Sequence, residues 1–531
     1  MRSRRGTSPD RRRRLARSAS LGRLATSLLV ASGALFHAEL ATPSETPATA
    51  RTAGVGIRPN LGERAARFDD EKLGRATVGE LRQAGAMLYT TPFNKADGMG
   101  DGPGINRDEP RDSSVPEAGR PTLQGNGTFL RVNGLDSQTC LECHGIVDNA
   151  FVPAITGIGG QAGIANSVSF RPLEIDVTDR RGLSHGELGT AFFDGRLINP
   201  LANLGLGGVQ LVAKEMTQEL QALRARALAT PGLEIALVTK GIDFGTLIAD
   251  AAGGLDTSGV EGIDEDLVVR PFGRKGDFSS VGAFDDDAMA FHFGMQPVDV
   301  VGAGADPDGD GVADELLSAE MTALEVFLVT ADRPLRHPSA HGTRGRETFE
   351  RIGCADCHVP RLDTVSVELP LAEPEVPTDM FANVLLSVDL TRPPAAFEPN
   401  AHGGVAVELF SDLKRHDMGP ALAETFAGEP RGDDDPERLE RRNREFITAK
   451  LWGVASSGPW LHDGRALSLT EAIELHGGEA RAARDAYLEL GAADRRYLLA
   501  FLDTLRHPTA PNADVRRRSL PNPIDGVGGV D

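Results

Sequence analysis

The chain is 531 residues long, 25% of them charged, and its formal net charge is −21 at pH 7. That length supports several domains with their own cores. The acidic balance argues against nucleic acid and anionic lipid as partners, and it suits either a basic redox partner or plain solubility.

Residues 1–41 read as a secretory signal peptide. Basic residues Arg11 to Arg14, Arg17 and Arg23 precede an apolar run from Leu24 to Phe36, with small residues at Ala34, Ala38 and Ala41. The run is short for a membrane span, so none is expected in the mature chain; an uncleaved anchor is the alternative. Residues 42–75, rich in Ala, Thr, Pro and Arg, form a flexible leader. A helix is expected over Val78 to Thr90, where Leu81, Ala84, Met87 and Leu88 share one face. From Pro92 to Pro121 the density of Asp, Gly, Asn and Pro marks a long loop.

The next feature is Cys140-Leu-Glu-Cys143-His144, and Cys354-Ala-Asp-Cys357-His358 repeats it downstream; the two copies use all four cysteines. Two thiols at this spacing can both form thioethers to one haem, and the histidine after them becomes the proximal iron ligand. Two covalently bound haems c are therefore expected. Zinc held by two cysteine pairs, or disulfides, are the alternatives, but neither requires a histidine after each pair. Haem c is attached only after export, so the signal peptide and the motifs agree on a periplasmic protein.

Downstream of the first motif lie Phe192-Phe193-Asp194-Gly195-Arg196, then Lys214-Glu215-Met216 and a helical run from Leu220 to Leu228. Trp460-Leu461-His462-Asp463-Gly464-Arg465 follows the second motif in the same way, which makes the chain two cytochrome-like halves. Between them, residues 241–335 are too long for a loop and should carry helices over Ala283 to Met295 and Leu316 to Thr330. The turn joining these helices holds Asp306, Asp308, Asp310 and Asp314 at positions 1, 3, 5 and 9, with Gly311 at 6. That is the start of a calcium loop, with Leu317 at position 12 and Glu315 as the substitute ligand; a solvated acidic turn is the alternative.

A short amphipathic helix through Gly345, Phe349 and Ile352 leads into the second haem motif. A terminal helix over Ala493 to Leu505 should pack across it. The expected architecture is mainly α, with two cytochrome c-like haem domains, long loops and an inserted helical segment bearing the calcium loop. Its boundaries are signal peptide 1–41, leader 42–75, N-terminal haem domain 76–240, insert 241–335, C-terminal haem domain 336–508 and mobile tail 509–531.

With both motifs placed, the chain resembles the bacterial di-haem cytochrome c peroxidase superfamily, and within it the di-haem oxidoreductase branch. The resemblance rests on Phe410-Ser-Asp-Leu-Lys-Arg-His416-Asp-Met418-Gly, Leu451-Trp452-Gly, His462-Asp-Gly-Arg465 and His476-Gly-Gly-Glu479-Ala. Phe193-Asp-Gly-Arg196 and Glu215-Met216 add looser matches. It implies that the C-terminal haem, with His358 and Met418 as axial ligands, accepts electrons. His416 as ligand, or Met418 as a packing residue, are the rival readings there. It also implies that peroxide reacts at the N-terminal haem with Glu215 as acid–base group; a Glu favoured at a helix N-terminus is the plainer reading.

Two departures stand out. Phe193 replaces the Trp that the family associates with communication between haems, so the route differs or Trp452 or Trp460 takes that part. No His follows shortly after the first motif, so the distal side of that haem is open or is capped by His185, His292 or Met295. The expected partners are hydrogen peroxide and a small cytochrome c or cupredoxin, with a homodimer left open. A pure di-haem electron carrier is the alternative. An oxidase or oxygenase modifying another substrate is a third reading, in which Tyr89, Tyr487 or Tyr497 would have to ligate a haem.

Overall fold

The computed structural model describes residues 67–90, 93–99, 139–140, 144, 199–423, 436–508 and 511–515. The signal peptide, most of the leader and tail, Cys143, His185 and Phe193-Asp-Gly-Arg196 lie outside the described residues.

After a single helical turn at Asp70–Leu73, the first long helix, α1 (Val78–Thr90), starts at a capping box. Thr77 Oγ1 accepts from the Glu80 N–H at 3.3 Å, and Glu80 Oε2 accepts from the Thr77 N–H at 2.8 Å. The next, α2 (Leu206–Ala229), is far longer than its expected Leu220–Leu228 segment. It is followed by a hairpin of β1 (Glu234–Thr239) and β2 (Ile242–Ala249). The hairpin turns at Lys240 and Gly241, both with positive φ (48° and 82°), as a tight two-residue turn requires. The expected boundary between first domain and insert therefore falls inside one hairpin. Beyond it come α3 (Val281–Ala288), a single π-helical turn (Met289–Phe293), and α4 (Ser318–Val329).

Two helix crossings carry the fold. Helix α1 passes under α4 at Gly85, where a Cβ would lie 2.0 Å from the Ala323 carbonyl oxygen and 2.7 Å from Phe327 Cβ. One turn on, Tyr89 meets Phe327 edge-on, ring centres 5.5 Å apart. The second half repeats this contact residue for residue. Helix α5 (Ala340–Arg351), capped by Ser339, passes under α6 (Ala492–Leu502) at Gly345. A Cβ there would lie 1.8 Å from the Tyr497 carbonyl oxygen and 2.8 Å from Phe501 Cβ, and Phe349 meets Phe501 edge-on at 5.2 Å. Each aromatic pair adds about 0.5–1.5 kcal/mol beyond its buried area. So α4, expected in the insert, stands to α1 as the terminal helix stands to α5.

Each crossing has its own core. Leu81, Ala84, Tyr89, Val209, Met216, Leu324 and Phe327 belong to the larger one, against which Cys140 packs. Phe349, Phe410, Tyr487, Leu498 and Phe501 form the smaller one, against which Cys354 packs. Strand Leu335–Arg336 pairs with Leu505–Arg506 and ties together the two ends of the C-terminal half.

The expectation of a mainly α chain holds in part: about 38% of the structure is helix, and 15% is strand. Besides the hairpin, paired strands occupy Leu362–Asp363, Glu368–Ala372, Val384–Asp389 and Val405–Val407, where no element was expected. Prolines and glycines cut these strands short, so they lack a legible alternation. Among the described residues no helix is long and apolar enough to cross a membrane.

Candidate functional site

The second haem motif turns helically at Cys354–Asp356, and at both motifs the histidine N–H returns to the carbonyl of the first cysteine. The His144 N–H donates to the Cys140 carbonyl at 2.8 Å, and the His358 N–H to the Cys354 carbonyl at 3.0 Å. Cys354 and Cys357 form no disulfide, and Cys143 lies outside the described residues. Burial pushes the Cys354 thiol up to about 12, so it is held un-ionised.

The two histidines are oriented alike. Nδ1 of His144 donates to the Leu201 carbonyl at 2.8 Å, and Nδ1 of His358 donates to the Phe410 carbonyl at 3.0 Å. Each bond fixes the tautomer and leaves Nε2 with its lone pair, as an iron ligand needs. Burial is the main force lowering both imidazoles to about 4; nearby His292 adds to it for His144, and His476 for His358. Phe410 has a φ of 54°, unusual for a bulky residue, and its ring is locked between Phe349 and Phe501. Cys354, Cys357 and His358 fit a covalent haem c, and Cys140 and His144 are oriented in the same way at the first motif, whose Cys143 lies outside the described residues.

Around His358, the expected ligands sort differently. His416 has both ring nitrogens taken, Nε2 by Asp412 at 2.8 Å and Nδ1 by Glu479 at 2.7 Å. Burial opposes its charge, but Asp412 and Cys357 outweigh burial and push His416 up to about 11. With both nitrogens bonded to carboxylates, His416 could offer iron a lone pair only by giving up one of those bonds. Met418 is half-buried at the end of strand Arg415–Asp417, its N–H donating to the Arg444 carbonyl. His476, noted in the sequence only as part of a motif, has its ring centre 6.5 Å from that of His358. Its Nδ1 donates to the Ala472 carbonyl at 2.7 Å.

Around His144, the π-helical turn carries His292, whose charge is felt by His144. Met295 is fully buried in the larger core. Tyr89 donates its hydroxyl to the His144 carbonyl at 3.4 Å and accepts from Asn203 Nδ2 at 3.2 Å. Tyr487 is buried under Arg495, and Tyr497 lies between Arg344 and His341.

Glu215 is placed otherwise than expected. It lies within α2, not at its start, and is 5% exposed. Oε2 accepts from Lys240 Nζ at 2.7 Å and from the Val365 N–H at 3.0 Å; Oε1 accepts from the N–H groups of Val365 and Ser366 at 2.9 and 3.0 Å. Neither oxygen is left to take a proton from a substrate, so Glu215 ties α2 to the hairpin tip and to residues 365–366.

The two motifs are joined through a short segment. Asn199 donates its N–H to the His462 carbonyl at 2.9 Å, and its Nδ2 to the carbonyls of Pro459 and Leu461 at 2.7 and 2.9 Å. Two residues on is Leu201, which holds His144. Gly205 then lies beneath the Trp452 indole, where a Cβ would come within 2.6 Å of the ring. Trp452 Nε1 donates to the Glu408 carbonyl, two residues before Phe410, which holds His358. Trp460 instead donates to the Val454 carbonyl at 3.0 Å and packs on the smaller core.

Residues 397–505 match the family described as "Di-haem oxidoreductase, putative peroxidase". This part of the chain is similar to the di-haem oxidoreductase family. Among solved structures, the chain is similar to a Kuenenia stuttgartiensis hydrazine synthase studied under xenon pressure, at 18% identity and a TM-score of 0.23. That match covers 43% of this chain and 62% of the other, so the chain spans less than two thirds of that relative. It is also similar to a MauG-like protein associated with microbial copper homeostasis, at 17% identity and a TM-score of 0.24, covering 59% of this chain and 91% of the other. No curated protein matches.

Proposed function

We propose that this protein is a periplasmic di-haem oxidoreductase that reduces hydrogen peroxide to water with electrons from a small cytochrome c or cupredoxin. The observation that carries the reading is the joining of the two histidine-orienting carbonyls, Leu201 and Phe410, through Gly205, Trp452 and Glu408. Two haem sites so linked suit one site that takes up electrons and one that spends them. Bound haem supplies one-electron chemistry and, at an open axial position, a place for peroxide. His144 and His358 hold the irons from one side. Trp452, packed over Gly205, is on this reading the indole between the two sites. Reduction needs two protons per peroxide, and His292, close to His144, is the residue on this reading that moves them.

The same histidine favours a second reading. As a sixth ligand, His292 would close the N-terminal haem and make the protein a pure electron carrier. Steady-state turnover with peroxide and a panel of reduced donors separates the two. Turnover, with a high-spin ferric signal in the resting or half-reduced protein, is expected. Two low-spin haems in every redox state and no turnover would leave the carrier.

The Asp306 to Glu315 loop is proposed to bind calcium. Carboxylate oxygens of Asp306, Asp308 and Asp310 lie within 4.8 Å of one another. Glu315 is 4% exposed, and its Oε1 has no hydrogen-bond partner. Asp314, expected as a ligand, accepts from the Gly304 N–H instead.

A further inference from the structure

We infer that His476 is the sixth ligand of the haem iron held by His358. This rests on the covalent-haem reading of Cys354, Cys357 and His358, and it replaces Met418 in the expected axial pair. With metal–imidazole bonds of about 2 Å and about 1.2 Å from ring centre to ring nitrogen, two imidazoles on opposite sides of one metal have centres about 6.4 Å apart. The His358 and His476 rings are 6.5 Å apart.

The hydrogen bonds agree with the spacing. Both rings spend Nδ1 on a backbone carbonyl, Phe410 for one and Ala472 for the other, so each presents an Nε2 lone pair. The Ala472 bond anchors His476 to the helix Leu469–Glu474 that precedes it. The following glycines then bring the chain against strand Arg415–Asp417: a Cβ on Gly478 would lie 1.9 Å from the Asp417 carbonyl oxygen. The backbone at Met418 and that just after His476 are thus adjacent, a Cβ on Gly477 lying 2.9 Å from the Met418 carbonyl oxygen. The His476 imidazole has the ring spacing to His358 that a shared metal would set, and a nitrogen pair lowers the reduction potential relative to a histidine–methionine pair.

The test uses full-length protein matured in a host that attaches haem c. The oxidised parent should lack the long-wavelength sulfur-to-iron band, and Met418→Leu should leave its low-spin signal unchanged. His476→Met should create that band and raise the potential of the C-terminal haem. A sulfur-to-iron band in the parent that Met418→Leu abolishes would overturn the inference, as would a His476→Met spectrum identical to the parent's. Haem that leaves the polypeptide in acid–acetone would overturn the covalent-haem reading itself, and the inference with it.

Discussion

Replacing Glu215 by Gln leaves Lys240 Nζ without its buried counter-charge and asks an amide to accept bonds arranged for a carboxylate. Breaking a buried pair at one partner costs about 3–5 kcal/mol, and the retained amide contacts place this change near the lower end. Denaturant unfolding should show that loss, while peroxide turnover per folded molecule stays at the parental level. A tenfold or greater fall in turnover with an unchanged midpoint would restore the acid–base role. At this scale the sequence was legible where chemistry is local. A Cys-x-x-Cys-His turn declares its own ligand, because thiols and imidazole lie within one helical turn. The surroundings of His476 and Glu215 were not legible, because His358 and Val365 are brought to them only by the fold. The one local hint at His476 was the Gly-Gly after it, which marks a close backbone approach.

The paired crossings set a contrast within one helix. A methyl placed on Gly79 in α1 would have no neighbour nearer than 3.9 Å, whereas one on Gly85 would meet a carbonyl oxygen at 2.0 Å. Gly79→Ala should therefore stabilise the protein by up to about 1 kcal/mol through helix propensity. Gly85→Ala should destabilise it by at least the roughly 1–3 kcal/mol of overpacking. Equal midpoints for the two variants would mean that α1 does not depend on close approach to α4. The helix pattern made α1 and the terminal helix readable; the glycine beneath each partner was visible only once the partner was in place.

The calcium loop belongs to this scale too. Burial, then repulsion from Asp308, Asp310 and Asp306, raises Glu315 from 4.5 to about 9. Burial likewise raises Asp286 to about 8, with Glu373 adding repulsion. Raised carboxyl values mean that the folded, metal-free protein holds protons the unfolded chain releases. That stability is complete below the unfolded values near 4 and drains away as pH climbs toward 9. Melting temperature without metal should fall from about pH 5 to 9, and calcium should restore it by an increment that grows with pH. Asp308→Ala and Asp310→Ala should each shrink the increment; no calcium effect at the alkaline end would leave only an acidic turn.

For the whole molecule, the periodic helices and the repeated motif made two halves legible, and the match over residues 397–505 agrees for the second. What the chain order concealed is how the halves are clasped. Asn199 is gripped by the Pro459–His462 turn of one half, and two residues later Leu201 steers the imidazole of the other. Thermodynamic linkage makes such a clasp reciprocal: if a change of state at the C-terminal haem shifts the turn and alters affinity at His144, ligand binding at His144 shifts the C-terminal equilibrium by the same factor. Asn199→Ala, which touches neither imidazole, should alter the spectrum of the N-terminal haem and uncouple the two potentials in a redox titration. Two independent one-electron waves in the parent would show that no such conversation exists. If the waves are coupled, the molecule reads its own charge state, and the Asn199 amide is where one half listens to the other.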